Sequence, residues 1–151
     1  MDKLLFLDID GVLNNRASLV ELPQDAFDPK CVAALNRITD TTGALIVVSS
    51  VWRYTYKMRT EMQGCLRSRG VTGKVKGCTP RLSGIKTRGD EIRAWLETNI
   101  DAGIINGDVQ FVVIDDSSDI TPFEYCFVQT SPETGLTEEG ADRAIALLGS
   151  Q

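Results

Sequence analysis

The sequence contains no histidine. That absence excludes a Ser-His-Asp triad, a Cys-His pair and any zinc site built on imidazole. Cysteine is sparse: Cys31, Cys65, Cys78 and Cys126, with no C-x-x-C pair, which argues against a zinc ribbon or a thioredoxin-type motif. No apolar stretch approaches the roughly 20 residues needed to span a bilayer. The apolar run after Met1-Asp2-Lys3 is cut by Asp8, too early for the core of a signal peptide. No repeat, low-complexity tract or Pro/Gly/Ser-rich linker marks a boundary. The expectation is a cytoplasmic protein with free, buried thiols, no membrane segment and no disulfide-linked partner. A chain of 151 residues, 42% hydrophobic and 25% charged, fits one globular domain spanning 1–151.

The net charge of −5 hides an uneven distribution. Segment 53–93 carries eleven basic residues against Glu61, Asp90 and Glu91, while the remainder is strongly acidic. One basic stretch in an acidic chain points either to a local anionic partner or to solvated helix faces.

Three apolar runs stand out: Leu4 to Leu7, Ala44 to Val48 and Phe111 to Ile114. None alternates with polar residues, the pattern of strands buried on both faces of a parallel sheet. Weaker strand signals cover Val71 to Gly77 and Tyr125 to Gln129. Helical spacing lies between them. Asp28-Pro29 reads as a cap and first turn ahead of Val32, Leu35 and Ile38, with Gly43 as a stop. Met58, Met62, Cys65 and Leu66 form a second stripe, ending near Gly70. Ile92, Trp95, Leu96 and Ile100 form a third, and Ala141, Ala144, Ile145 and Leu148 a fourth, with Thr137 as its cap. This alternation predicts an α/β three-layer sandwich around a central, mostly parallel sheet. Ligands bind such sheets at the carboxyl ends of the strands.

The residues just beyond each apolar run carry the chemistry. The first run ends in Asp8-Ile9-Asp10-Gly11, the second in Ser49-Ser50, the third in Asp115-Asp116, with Asp119 shortly after. Parallel strands would bring these groups to one edge, where the carboxylates repel and their pKa values rise. A hard divalent cation removes the conflict, and Mg²⁺ suits a few carboxylates together with a phosphate. Taken singly, each motif reads more readily as a turn or a helix cap. The set, in this order and at strand ends, is the signal.

The set resembles the motifs of the haloacid dehalogenase-like (HAD) phosphohydrolase superfamily. Asp8-Ile9-Asp10-Gly11-Val12-Leu13 matches the first motif, Val47-Val48-Ser49 the second, Arg88 or Lys86 the third, and Val113-Ile114-Asp115-Asp116 the fourth. Ser50-Val51-Trp52-Arg53, Arg88-Gly89-Asp90-Glu91-Ile92 and Gly135-Leu136-Thr137 are similar to the HAD domain associated with RNA repair proteins. The resemblance implies a HAD-like Rossmannoid fold in which Asp8 attacks phosphorus and forms an aspartyl-phosphate. Asp10 would act as acid, then base. Mg²⁺ would be held by the Asp8 carboxylate, the Asp10 carbonyl, Asp116 and waters oriented by Asp115. Ser49, or alternatively Ser50, would donate to a phosphoryl oxygen, and Arg88 would offset its charge, with Lys86 competing for that role.

Insertions set substrate class in that superfamily. Residues 14–43 and 54–86 are too short for a cap domain, which leaves an open site with a small flap around 12–27. An open site admits a large phosphorylated substrate, and the basic stretch favours a nucleic-acid end. Arg53 and Arg16 are candidate phosphate or sugar contacts. Trp52 could stack on a base, with burial under the sheet as the other reading. A nucleotide or small-molecule phosphatase of the same chemistry, and a catalytically silent metal-binding module, are the competing readings. Oligomeric state is not legible in the sequence.

Overall fold

The computed structural model describes residues 2–149. Its strands are β1 (Lys3–Leu7), β2 (Leu45–Val48), β3 (Val75–Cys78), β4 (Gln110–Asp115) and β5 (Phe127–Gln129). They form one sheet in the order β3-β2-β1-β4-β5, and every neighbouring pair is parallel. The helices among the described residues are α1 (Arg16–Glu21), α2 (Pro29–Thr42), α3 (Arg59–Arg67), α4 (Arg88–Asp101) and α5 (Glu138–Leu148).

The layering follows from the crossovers. From β1 the chain steps outward to β2 and then β3. It next returns across the sheet to β4, on the other side of β1. Right-handed crossovers in opposite directions put their helices on opposite faces. Leu5, Leu7, Ile46, Val48, Val112 and Ile114 accordingly pack beneath α2, α3 and α5. Leu4, Phe6, Val47 and Val113 pack against Ile92, Trp95 and Leu96 of α4. Both faces of β1 are covered, which is why its apolar run does not alternate. The reversal of direction between β1 and β4 is the switch point, where the strand ends splay and leave a crevice.

The predicted caps form. Asp28 accepts from the Lys30 N–H ahead of Pro29, and Thr137 accepts from the Gly140 N–H. Gly43 ends α2 at φ +74°, a left-handed turn that glycine takes without steric cost. The minor strands are shorter than expected because their backbone groups are used elsewhere. Before β3, the Thr72 N–H bonds Asn36 Oδ1 and the Gly73 carbonyl accepts from Gln63 Nε2. Before β5, Glu124–Cys126 winds into a 3-10 turn. The flap expected around 12–27 contains α1, which the apolar pattern did not show. Asn15 and Ser18 bond each other's backbone N–H reciprocally and start that helix. The two inserts hold only α1 and α2, and α3 and β3, so the domain has no cap. No described helix is long and apolar enough to cross a membrane.

Candidate active site

Asp8 directly follows β1, Ser49 follows β2, and Asp115 ends β4 with Asp116 next in line. The parallel register aligns these strand ends: Leu7 pairs with Val48 on one side and Ile114 on the other. Gly11 then turns the chain at φ +78°. A Cβ at this position would collide with Asp116 Oδ2, so glycine lets the backbone and that carboxylate lie side by side. The turn is held by the Gly11 N–H on Asn14 Oδ1 (2.9 Å) and by Thr130 Oγ1 on the Gly11 carbonyl (2.7 Å).

Asp8, Asp115 and Asp116 each place a carboxylate oxygen within 4.8 Å of the others. At an effective dielectric near 20, two such charges repel by roughly 3 kcal/mol. Asp8 is 5% exposed and Asp115 is fully buried. Burial first, and then Asp115, lifts the Asp8 carboxyl well above the ordinary carboxylate range, with Arg88 opposing. Burial likewise raises Asp115, again against Arg88. Arg88 Nη1 lies 3.1 Å from Asp8 Oδ1 and 3.2 Å from Asp115 Oδ2. It is one positive charge against three negative ones. Asp115 Oδ1 accepts from the Ser117 N–H (2.9 Å), whereas its Oδ2 has no hydrogen bond. A net deficit of two charges, an oxygen-only donor set and a buried carboxylate oxygen that faces only Arg88 and accepts no hydrogen bond fit a hard divalent cation such as Mg²⁺.

The two serines differ in a way the sequence did not reveal. Ser50 Oγ accepts from the Trp52 N–H (3.2 Å) and caps a 3-10 turn over Val51–Tyr54. Ser49 Oγ is buried and has no hydrogen-bond partner. The Ser49 carbonyl receives both Arg88 Nη1 (2.7 Å) and Arg53 Nη1 (3.0 Å). Arg53, expected as a candidate phosphate or sugar contact, has its guanidinium engaged inside the protein. Its side chain is 5% exposed, Nη1 also bonds the Ser50 carbonyl (2.7 Å), and Nη2 pairs with Glu91 Oε2 at 2.9 Å. The guanidinium is an internal strut between the β2 loop and α4.

Asp10 stands apart from the acidic cluster. It is exposed, and its carboxylate accepts from Asn14 Nδ2 (2.9 Å) and from Trp52 Nε1 (3.2 Å to each oxygen). Trp52 is half-buried against the core on the α2 and α3 face of the sheet. It packs between Phe27 and Tyr56, with the Arg69 guanidinium 5.2 Å from its ring centre. Lys86 is exposed in the loop before α4, while Arg88, in the first turn of that helix, reaches the carboxylates. Arg16 is also exposed and pairs with Glu133 at 2.7 Å. Of the expected residues, the structure thus gathers Asp8, Ser49, Arg88, Asp115 and Asp116 into one site. Asn14, Glu91 and Thr130 escaped the sequence reading. Asn14 works through short-range bonds to the Gly11 N–H and the Asp10 carboxylate, whereas Glu91 and Thr130 reach Arg53 and the Gly11 carbonyl from distant segments.

A family model described as the HAD domain in Swiss Army Knife RNA repair proteins matches residues 4–141. No curated protein and no solved structure matches the chain.

Proposed function

The chain belongs to the family of HAD domains in Swiss Army Knife RNA repair proteins, and from that premise we propose that it is a Mg²⁺-dependent phosphomonoester hydrolase acting on polynucleotide ends. The observation that carries this reading is the convergence of three carboxylates, Arg88 and the unpartnered Ser49 hydroxyl at the β1/β4 switch point. A divalent cation held by Asp8, Asp116 and the Asp10 carbonyl, with waters oriented by Asp115, would supply positive charge against the phosphoryl oxygens.

The chain's own groups do the rest. Asp8 attacks phosphorus, forms an aspartyl-phosphate and breaks the bond to the ester oxygen. Asp10 gives that oxygen a proton and then takes one from the water that hydrolyses the acyl phosphate. In a protein without histidine, an exposed carboxyl is the available group for this task. The Trp52 indole N–H and Asn14 amide hold the Asp10 side chain in one orientation. Ser49 donates its free hydroxyl to a phosphoryl oxygen, and Arg88 balances the charge there. Arg53 and Arg88 grip the Ser49 carbonyl from two directions and so fix the loop that presents the hydroxyl. With no cap over the strand ends, the end of a polymer can enter.

The test is hydrolysis of an aryl phosphate with Mg²⁺, followed by a comparison of 3′-phosphorylated oligonucleotides with mononucleotides. Asp8→Asn is expected to lower turnover at least about 10³-fold, as loss of a covalent nucleophile does. Absence of turnover on every phosphoester would overturn the hydrolase reading. Turnover confined to mononucleotides would overturn the polymer substrate while leaving the chemistry intact.

A further inference from the structure

A sizeable cavity lies away from the strand ends. It is a groove of about 810 Å³ along the outer strand β3, between α3 and α4. Arg59, Gln63 and Arg67 line it from α3, four residues apart each time and hence on one helix face. Lys74, just before β3, and Lys76 within it line the groove as well. Among the described residues, arginine ion pairs form at Arg16, Arg37, Arg53 and Arg88. The four groove cations have no such partner, and Arg59, Arg67 and Lys74 are exposed.

Two further features say what the groove accepts. Trp95 lines it while only 7% exposed, and its indole N–H, beside Gly77, has no acceptor among the described residues. Arginine, lysine and the indole are donors without acceptors. The Gln63 amide is already used at both ends, on the Gly73 carbonyl (3.0 Å) and the Val75 N–H (2.7 Å). A ligand rich in anionic acceptor oxygens fits this lining. The same Gln63 bonds occupy backbone groups at the start of β3, which disfavours addition of a peptide strand to that edge. Volume and charge both exceed what one phosphate needs. Cys78 and Thr79, at the far end of β3, line a second cavity of about 370 Å³ with Lys57 and Arg81. The Thr79 N–H bonds the Val48 carbonyl, one residue before Ser49. Basic residues therefore line cavities at both ends of β3, the second beside the strand ends.

We propose that the groove between α3 and α4 along β3 binds the phosphodiester backbone of a single nucleic-acid strand, as a site separate from the acidic cluster. The occupant deepens the functional reading above, since a strand seated here would have its terminus led toward the open site. Binding itself does not depend on catalysis.

The experiment measures fluorescence anisotropy of a labelled single-stranded oligoribonucleotide, without a terminal phosphate, across a salt series. Lys74→Gln/Lys76→Gln should weaken binding about tenfold or more at low salt. It should also flatten the salt dependence, by about 0.7 in slope for each phosphate no longer neutralised. Arg59→Gln/Arg67→Gln should do the same from the other wall. Both pairs should retain full turnover of an aryl phosphate and the circular dichroism of the parent. Asp8→Asn, by contrast, should keep oligonucleotide binding. If the parent does not bind the strand, if neither pair changes affinity or slope, or if polyglutamate binds as tightly, the proposal is overturned. Strand binding without phosphatase turnover would keep the groove and remove the enzyme reading. Aryl phosphate turnover with binding indifferent to both pairs would do the reverse.

Discussion

The acidic centre and the basic stretch make opposite use of charge. Asp8 and Asp115 are more than a hundred positions apart in sequence, yet their carboxylates meet with that of Asp116 within 4.8 Å. The basic residues of 53–93 are close in sequence and scatter in space. Arg53 is buried against two carbonyls and Glu91, Arg69 lies over Trp52 and Phe27, and Arg88 joins the acidic centre. Arg59, Arg67, Lys74 and Lys76 line a groove at the opposite edge strand. Position relative to a strand end predicts convergence in a parallel sheet, because pairing aligns the ends. Proximity along the chain does not, because a helix turns successive side chains through every direction.

Arg88→Met tests the acidic centre most severely. It removes the one cation touching Asp8 and Asp115, and turnover should fall on the order of 10²–10³-fold. Arg88→Lys should recover part of the loss. A methionine variant with parental turnover would detach Arg88 from the chemistry.

Arg53→Met tests the internal strut. Glu91, already largely buried, would lose its ion-pair partner, and breaking a buried pair from one side costs about 3 kcal/mol or more. Urea unfolding should show this loss. Variants on the exposed cations, such as Lys57→Met, should stay within about 0.5 kcal/mol. Equal effects at the two positions would erase the contrast within the basic stretch.

The smallest effect is the one most diagnostic of the acidic centre. Asp8 and Asp115 are raised from 3.8 to about 8 and about 6, by burial first, with the Asp115 charge adding to the rise at Asp8 and the Asp116 charge to that at Asp115. Raised carboxyls favour the folded protonated state. Their contribution is complete below pH 3.8 and is lost as pH rises through 6 to 8. Metal-free protein should therefore lose stability over that window. Mg²⁺ at a hundred times its dissociation constant should restore roughly 2.7 kcal/mol at pH 8. Asp8→Asn should flatten the metal-free profile. A metal-free profile that rises with pH over the same window would contradict the crowded carboxylates.

The fold was legible where burial writes a pattern. Continuous apolar runs marked β1, β2 and β4, and Asp28-Pro29, Thr137 and Gly43 marked helix ends, because caps and turns are local chemistry. β3 and β5 were blurred at their edges, since bonds from Asn36 and Gln63 and a 3-10 turn decide where pairing starts. α1 left no apolar stripe: Leu19 and Val20 are exposed, and only the Asn15–Ser18 box announces it. In the site, Asp8, Ser49, Asp115 and Asp116 could be read because each sits at a strand end. The roles of Arg53 and Trp52 could not be, because Glu91 and Asp10, their partners, come from segments that meet them only on folding.

By itself, then, the sequence determined the alternation of buried strands and capped helices, and the acidic residues at the strand ends. These follow from side-chain hydrophobicity and backbone geometry over a few residues. Tertiary structure alone decided which serine keeps a free hydroxyl and that Arg88, not Lys86, reaches the carboxylates. It also decided where the remaining cations form a surface. Those outcomes depend on distances between groups far apart in the chain, and such distances are fixed only when the sheet and its two helical layers close together.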